Sequence, residues 1–321
     1  MEGYGAIFNA GVIHRDGRLH LFARGVREGY RRNPGPGPRF EHYVSDILVL
    51  TSADGLTYEF QQVLASASPD EVYSYEDPRV QVVWSNDAEH TLMTYTDLPD
   101  PASGLPWRIG IQRLVFDRGR FQLDHASRRV IDPAGYPDKD GVVFNLLDGR
   151  VALIHRIHPD MQVAVFDSLE ALLDPEPGYW EAHVGHLDRH RILSPAPGAP
   201  CVGAGAPPIP TPAGLLMFFH ERMAEGPYTA SVALLNGATG RVVTRLPEPI
   251  LTPELEWERF GDVDDVVFVQ GAHRLPDGDI YLTYGAADRC VGAAVVNEAD
   301  LLDALLAASR ERGPLARRAS V

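Results

Sequence analysis

Cysteine is scarce in this chain: Cys201 and Cys290 are the only two among 321 residues, and they have no Cys-x-x-Cys spacing. That excludes a disulfide framework and a cysteine-built metal or redox site, and both thiols read as small buried hydrophobes. Positive charge is also in deficit. Lys and Arg total 29 against 44 Asp and Glu, a formal net charge of −15. No nucleic acid is therefore expected as a partner, since its phosphates are bound mainly through Lys and Arg, and any phosphate handled must be small and held locally. The one basic concentration is the tail 310–321, with Arg310, Arg312, Arg317 and Arg318, read as a frayed, solvated terminus. There is no run of eighteen apolar residues and no basic-then-apolar leader over 1–10, so no membrane partner is expected and the compartment is read as cytoplasmic. Gly-rich phosphate loops, GxSxG elbows, HExxH and Cys/His clusters are all missing. His14, His155, His158 and His220 are too scattered for a metal and read as hydrogen-bonding residues; no metal or cofactor is expected.

What is present is a globular composition, 45% hydrophobic and 23% charged, able to bury a large core. The length allows two ordinary domains or one large all-β domain. Self-comparison decides between them, because one phrase recurs five times: an apolar stretch, a tight turn, then an alternating strand ending on polar residues. The turns are Asp16-Gly17, Asn86-Asp87, Asp148-Gly149, Ala213-Gly214 and Asp277-Gly278. Asp-Gly between apolar runs is a strong hairpin signal. Each copy is followed by two more strand-like runs, such as 47–50 and 58–61 in the first, giving roughly four strands per unit. The reading is an all-β, five-bladed β-propeller, a single catalytic domain over 1–321. Helix signals are sparse, with one helix over 297–309 capped by Asn297 and carrying an Ala299, Leu301, Leu302, Leu305, Leu306 stripe that packs outside a blade. Two Pro/Gly-rich loops, 31–39 and 97–106, are surface insertions or lids.

In a propeller the first strand of each unit lies nearest the axis, so residues at one phase of the repeat converge on a central channel. At the starts of first strands stand Asn9, Asp77 with Arg79, and Lys139 with Asp140; at the ends of second strands stand Arg24, Asp97, His155 with Arg156, and His220 with Glu221; Asp288 follows the last. Within Tyr75-Glu76-Asp77-Pro78-Arg79, the X-Pro restriction predicts an extended Asp77 aimed by a stiff backbone, as a general acid needs. Asn9, Arg24, His220 and Asp288 can hydrogen-bond hydroxyls. Lys139 and Arg156 can hold an anion, one as a point charge and the other by its fork. A polyol plus phosphate is the ligand pair that this set suggests.

These residues, together with Gly203-Ala204-Gly205-Ala206-Pro207-Pro208-Ile209, Leu246-Pro247-Glu248-Pro249-Ile250-Leu251 and Tyr284-Gly285-Ala286-Ala287-Asp288, resemble glycoside hydrolase family 130, the β-mannoside phosphorylases and related β-mannosidases on a five-bladed propeller. The resemblance runs from Phe8 to about Ala294. It implies an inverting enzyme in which Asp77 is the general acid, acting through a hydroxyl of the bound mannose. Inorganic phosphate, the co-substrate, attacks from the opposite face, and α-mannose 1-phosphate forms. Lys139 and Arg156 map onto the phosphate-holding positions, with Arg108 as a third contact, and Asn9, Arg24 and Asp288 onto sugar-binding ones.

The chain departs from the family pattern at Glu221, where glycine is common, and at Phe144-Asn145-Leu146. Glu221 is either the water-activating base of an inverting β-mannosidase acting on β-1,2- or β-1,4-mannosides, or a partner of Arg222. Retention of Lys139 and Arg156 favours phosphorolysis, because phosphate arrives already anionic and needs clamping rather than a base. A non-catalytic carbohydrate-binding propeller is the reading from another class. The expected partners are thus a β-mannoside oligosaccharide and phosphate, with a homo-oligomer compatible with the sequence.

Overall fold

The computed structural model describes residues 1–35, 39–69, 71–224 and 226–311. Five antiparallel sheets follow one another along the chain as the blades of a propeller. The first comprises Tyr4–Arg15, Arg18–Arg27, Ser45–Ser52 and Glu59–Ala65. The second runs Ser74–Ser85, Ala88–Leu98, Arg108–Asp117 and Arg120–Leu123, with Arg129–Ile131 added to the third strand. The third is Lys139–Asn145, Val151–Arg156, Met161–Phe166 and Arg191–Leu193. In the fourth, Val202–Ala204 and Ile209–Thr211 both pair with Gly214–Arg222, which pairs with Tyr228–Leu235 and then Val242–Arg245.

The fifth sheet departs from the four-strand expectation: among the described residues it has three strands, Val267–Arg274, Ile280–Ala286 and Cys290–Val296. The helix Glu298–Glu311 follows where the sequence places one, and the Asn297 side chain accepts from Asp300 N–H at 3.0 Å as its cap. Leu301, Leu302 and Leu305 join the apolar cluster shared by the fourth and fifth blades. Most of the tail expected after the helix, from Arg312 onward, lies outside the described residues, as does part of the loop 31–39. No helix among the described residues is long and apolar enough to cross a membrane.

The hairpin signals act as their chemistry requires. Asp16 and Gly17, at φ of 52° and 70°, join strands paired at Arg15 and Arg18; Asn86 and Asp87, at 51° and 59°, do the same in the second blade. Alternation along each strand gives every blade two apolar faces, and one buried cluster fills each gap between neighbours, as between stacked sheets. Phe22, Val49 and Met93 pack between blades one and two, Val83, Ile111 and Leu153 between two and three, and Phe144, Met217 and Phe219 between three and four. The ring closes where the Thr283 hydroxyl donates to Ala10 O at 2.6 Å.

Three short helices, Leu169–Leu173, Tyr179–Val184 and Leu187–His190, sit between the last two strands of the third blade. They escape a periodicity search because each spans about a turn and Pro175, Pro177 and Gly178 interrupt them.

Candidate active site

The polar residues at the axis owe their positions to irregularities at one phase of the repeat. Ladder register slips between Phe8 and Gly11, between Glu76 and Arg79, and between Lys139 and Val142. Each bulge holds one left-handed residue: Asn9 at φ 48°, Asp77 at 51° and Asp140 at 58°. Asn and Asp tolerate this region better than other non-glycine residues, and a bulge re-aims a side chain that regular pleating would send elsewhere. The extended conformation expected of Asp77 is therefore not found. The extra residue in the bulge overrides the X-Pro preference, and the aim comes from the bulge rather than from the proline.

Asp77, 5% exposed, lines a pocket of about 250 Å³ together with Asn9, Arg24, Glu76, Lys139, Tyr228, Phe268 and Asp288. Asn9 Nδ2 donates to Asp77 Oδ1 at 2.7 Å, and Arg24 Nη1 lies 3.6 Å from the same oxygen. Arg24 also donates to Glu76 and, at 3.2 Å, to the Ser45 hydroxyl, with its guanidinium over the Phe8 and Tyr43 rings. Burial opposes its charge, but Glu76 and Asp77 outweigh that and hold its pKa above the ordinary value. Asp288 is pushed up to about 7, first by burial and then by the negative charges of Asp77 and Glu76, with Arg24 pulling the other way. Asn9 can take its position only because residue 285 is glycine: a Cβ there would meet Asn9 Oδ1 at 1.7 Å.

Arg79, 1% exposed, joins this acidic group to a second cluster. It donates to Asp77 O at 3.1 Å, to Gly205 O and Ala204 O at 2.7 Å each, and to Asp140 Oδ1 at 3.2 Å. The other oxygen of Asp140 meets Arg156 Nε at 3.0 Å and His220 Nε2 at 3.5 Å. Burial alone would raise the Asp140 pKa, yet Arg156, His220 and Arg79 hold the carboxyl well below its usual range. His220 is shifted down, chiefly by burial, and so stays neutral near pH 7. The residue at 203 must again be glycine, since a Cβ would fall 2.2 Å from Asp140 Oδ2. Lys139, the only lysine in the chain, is cross-strand partner to Arg156 and faces the pocket. Arg156 and His220 do not line the cavity; they converge on Asp140 beside it, and Arg156 Nη1 also contacts Cys201 Sγ at 3.1 Å.

Four residues singled out in the sequence lie elsewhere. Glu221 is buried and engaged with Arg245, through Oε1 at 3.0 Å and a second contact through Oε2, while Oε1 also accepts from Ala196 N–H at 2.8 Å. Successive strand residues face opposite sides, so with His220 turned to Asp140 its neighbour turns away. Glu221 is thus neither partner to Arg222 nor free to activate a water in this pocket. Arg108 stands opposite Asp97 in the second blade and is not part of the pocket lining. Asp97 itself pairs with Arg128 at 2.6 Å. His155 is buried between Asp138 Oδ2 at 2.9 Å and His183 Nε2 at 3.0 Å. Among the described residues, no group of His, Cys, Asp and Glu is disposed to hold a metal.

Sequence reasoning missed Tyr43, Tyr228 and Phe268 in the pocket wall. Phe268 was accessible, since it opens the fifth copy of the repeat at the phase that elsewhere carries Asn9 and Asp77. Tyr43 and Tyr228 come from a loop and a third strand, where the repeat carries no phase information.

A family model described as β-1,4-mannooligosaccharide phosphorylase, that of glycoside hydrolase family 130, matches residues 2–306. The 1,2-β-oligomannan phosphorylase of Thermoanaerobacter sp. (strain X514) is 28% identical over 303 residues, covering 92% of this chain and 91% of that protein. Among solved structures, β-1,2-mannobiose phosphorylase from Listeria innocua in complex with β-1,2-mannobiose superposes with a TM-score of 0.74 at 21% identity, covering 96% of this chain and 94% of that one. A structure described as a hydrolase of the same family, targeting β-1,2 mannosidic linkages in Candida mannan, gives 0.69 at 20% identity, with coverage of 92% and 85%.

Proposed function

The chain belongs to glycoside hydrolase family 130, and from that premise we propose that it cleaves β-mannosides with inorganic phosphate, releasing α-mannose 1-phosphate with inversion. The observation that carries the reading is one cavity lined by both Asp77 and Lys139, with Arg156 tied to the residue next to Lys139. Asn9, Arg24 and Asp288 hold the mannose hydroxyls, and the pocket has the scale of one sugar unit. The Asp77 carboxyl supplies, by way of a hydroxyl of the mannose, the proton that the departing oxygen takes as the C1–O bond breaks. A phosphate oxygen facing Lys139, with the Arg156 charge next to the cavity on Asp140, forms the new bond to C1 from the opposite face, and Asp77 is reprotonated from solvent.

Fixing both reactants side by side supplies much of the rate, and cations facing the incoming phosphate suit an anion already able to attack. His220, neutral and buried behind Asp140, takes part as a hydrogen-bonding residue of the clamp. The fixed pairing of Glu221 with Arg245 speaks against the hydrolytic alternative, which needs a second free carboxylate. The test is incubation with β-1,2- and β-1,4-mannobiose, with and without phosphate. Mannose 1-phosphate formed only with phosphate is the expected result. Free mannose formed without phosphate would make the protein a hydrolase, and no turnover of any mannoside would leave a binding propeller.

A further inference from the structure

Beside the pocket of Asp77 lies a second, larger cleft of about 600 Å³. The two share Arg39, Phe40, Tyr43 and Glu76 along a common wall, which gives a substituent projecting from the first a route into the second. The wall of the second cleft is apolar, formed mainly by Phe40, Tyr43, Tyr73, Leu98, Leu105 and Trp107. Leu105 and Trp107 are 57% and 47% exposed, more than a soluble surface needs of such side chains at a cavity mouth. Phe40 and Tyr43 stack at 4.7 Å, and Tyr30 closes edge-on against both, which makes this side stiff.

Several polar side chains of the cleft are already spent: Glu76 on Arg24, the Ser74 hydroxyl on Ser45, and Glu41 on Arg31. The Tyr43 hydroxyl, at the junction of the two cavities, is buried and has no partner among the described residues. Arg39 and His42 also line the cleft, but most of its wall is apolar, so a second hexose seated here would set much of its polar surface against side chains that cannot hydrogen-bond it. A hydrocarbon chain or aryl ring has no such surface.

We propose that the leaving-group side of this enzyme takes an apolar aglycone, so that its substrates include β-mannosides of alkyl or aryl alcohols in preference to unmodified mannobiose. The inference rests on the phosphorylase reading and leaves its step unchanged. The C1–O bond to the alcohol breaks, C1 bonds to a phosphate oxygen, and the alcohol departs with the proton from Asp77. The mannosyl unit occupies the pocket, the aglycone runs along Phe40 and Tyr43 toward Leu105 and Trp107, and the Tyr43 hydroxyl meets the oxygen between them.

The experiment compares methyl, butyl and octyl β-D-mannopyranoside with β-1,2- and β-1,4-mannobiose in the presence of phosphate. Simple alkyl alcohols differ little as leaving groups, so a trend along the series reports on binding. The expected kcat/KM rises about three- to fourfold per buried methylene until the cleft is filled, and octyl mannoside overtakes both mannobioses. In Trp107→Ala, and independently in Leu105→Ser, both at exposed positions, the octyl-to-methyl ratio falls toward one. A flat series, a preference for mannobiose, or a ratio unmoved in both variants overturns the inference while leaving phosphorolysis standing. So does a second copy of the chain sealing the cleft, seen as a dimer by sedimentation together with a flat series. If no glycoside yields mannose 1-phosphate, the phosphorylase reading fails instead. Calorimetric titration then decides the cleft alone, and equal affinity for octyl and methyl mannoside ends the proposal.

Discussion

The acidic half of the site gathers three carboxylates, Glu76, Asp77 and Asp288, around one guanidinium, Arg24, whereas the basic half gathers Arg79 and Arg156 around one carboxylate, Asp140, with Lys139 facing the pocket beside them. The same burial therefore has opposite outcomes a few residues apart. In the acidic half burial, reinforced by the negative charges of Asp77 and Glu76, drives a carboxyl toward neutrality, with Asp288 at about 7. In the basic half Arg156, His220 and Arg79 keep Asp140 ionised against its burial, and burial holds His220 below its ordinary value. On the proposed reading, one side serves the departing sugar and the other receives the anion.

The sharpest way to break this division is Asp77→Asn, which keeps shape and hydrogen bonding but removes the transferable proton. Turnover should fall on the order of 10³-fold, within the range of a lost general acid. The melting temperature should stay close to that of the parent, since the amide can still meet Asn9. Initial rates of mannose 1-phosphate release measure the effect. A variant keeping a tenth of the parent rate would assign the proton to another group.

A smaller effect belongs to the basic half. Arg156→Ala should raise KM for phosphate by about tenfold or more, equivalent to about 1.4 kcal/mol, while KM for the mannoside moves less than twofold. Because Lys139 is the only lysine, an amine-selective reagent gives a second readout. Phosphate should shield Lys139 from modification in the parent and shield it less in the variant. Shielding by mannose but not by phosphate would reverse the assignment of the two halves.

Much of this division is legible in the amino-acid sequence, because the repeated phrase puts Asn9, Asp77 and Lys139-Asp140 at one phase. The bulges were not legible: they are slips of pairing between strands, and a local rule at Asp77-Pro78 pointed to extended backbone where a left-handed residue stands. The position of Glu221 was available from strand alternation alone, since His220 and its neighbour cannot both face the axis. Its true partner, Arg245, is two strands away and beyond such a rule. Tyr43 and the apolar cleft depend on loops, where no period links residue to position.

The smallest effect is the most selective probe of the charge surplus. Asp288 has a folded pKa of about 7 against an ordinary 3.8, so between about pH 4 and pH 7 the folded chain holds a proton that the unfolded chain releases. Stability therefore falls as pH rises through that window, because ionising Asp288 beside Asp77 and Glu76 costs more folded than unfolded. Asp288→Asn removes the titration while keeping the hydrogen-bonding shape. Denaturant unfolding at pH 5 and at pH 8 should show the variant gaining on the parent by on the order of 2 kcal/mol across the interval, after allowing for the contact of Asp288 with solvent at the pocket wall. A limb in the parent's pH–activity profile near pH 7 is expected, and it should flatten in the variant. Superposable stability curves for parent and variant would mean that Arg24 balances its three carboxylates, and the two halves would then differ in geometry rather than in charge.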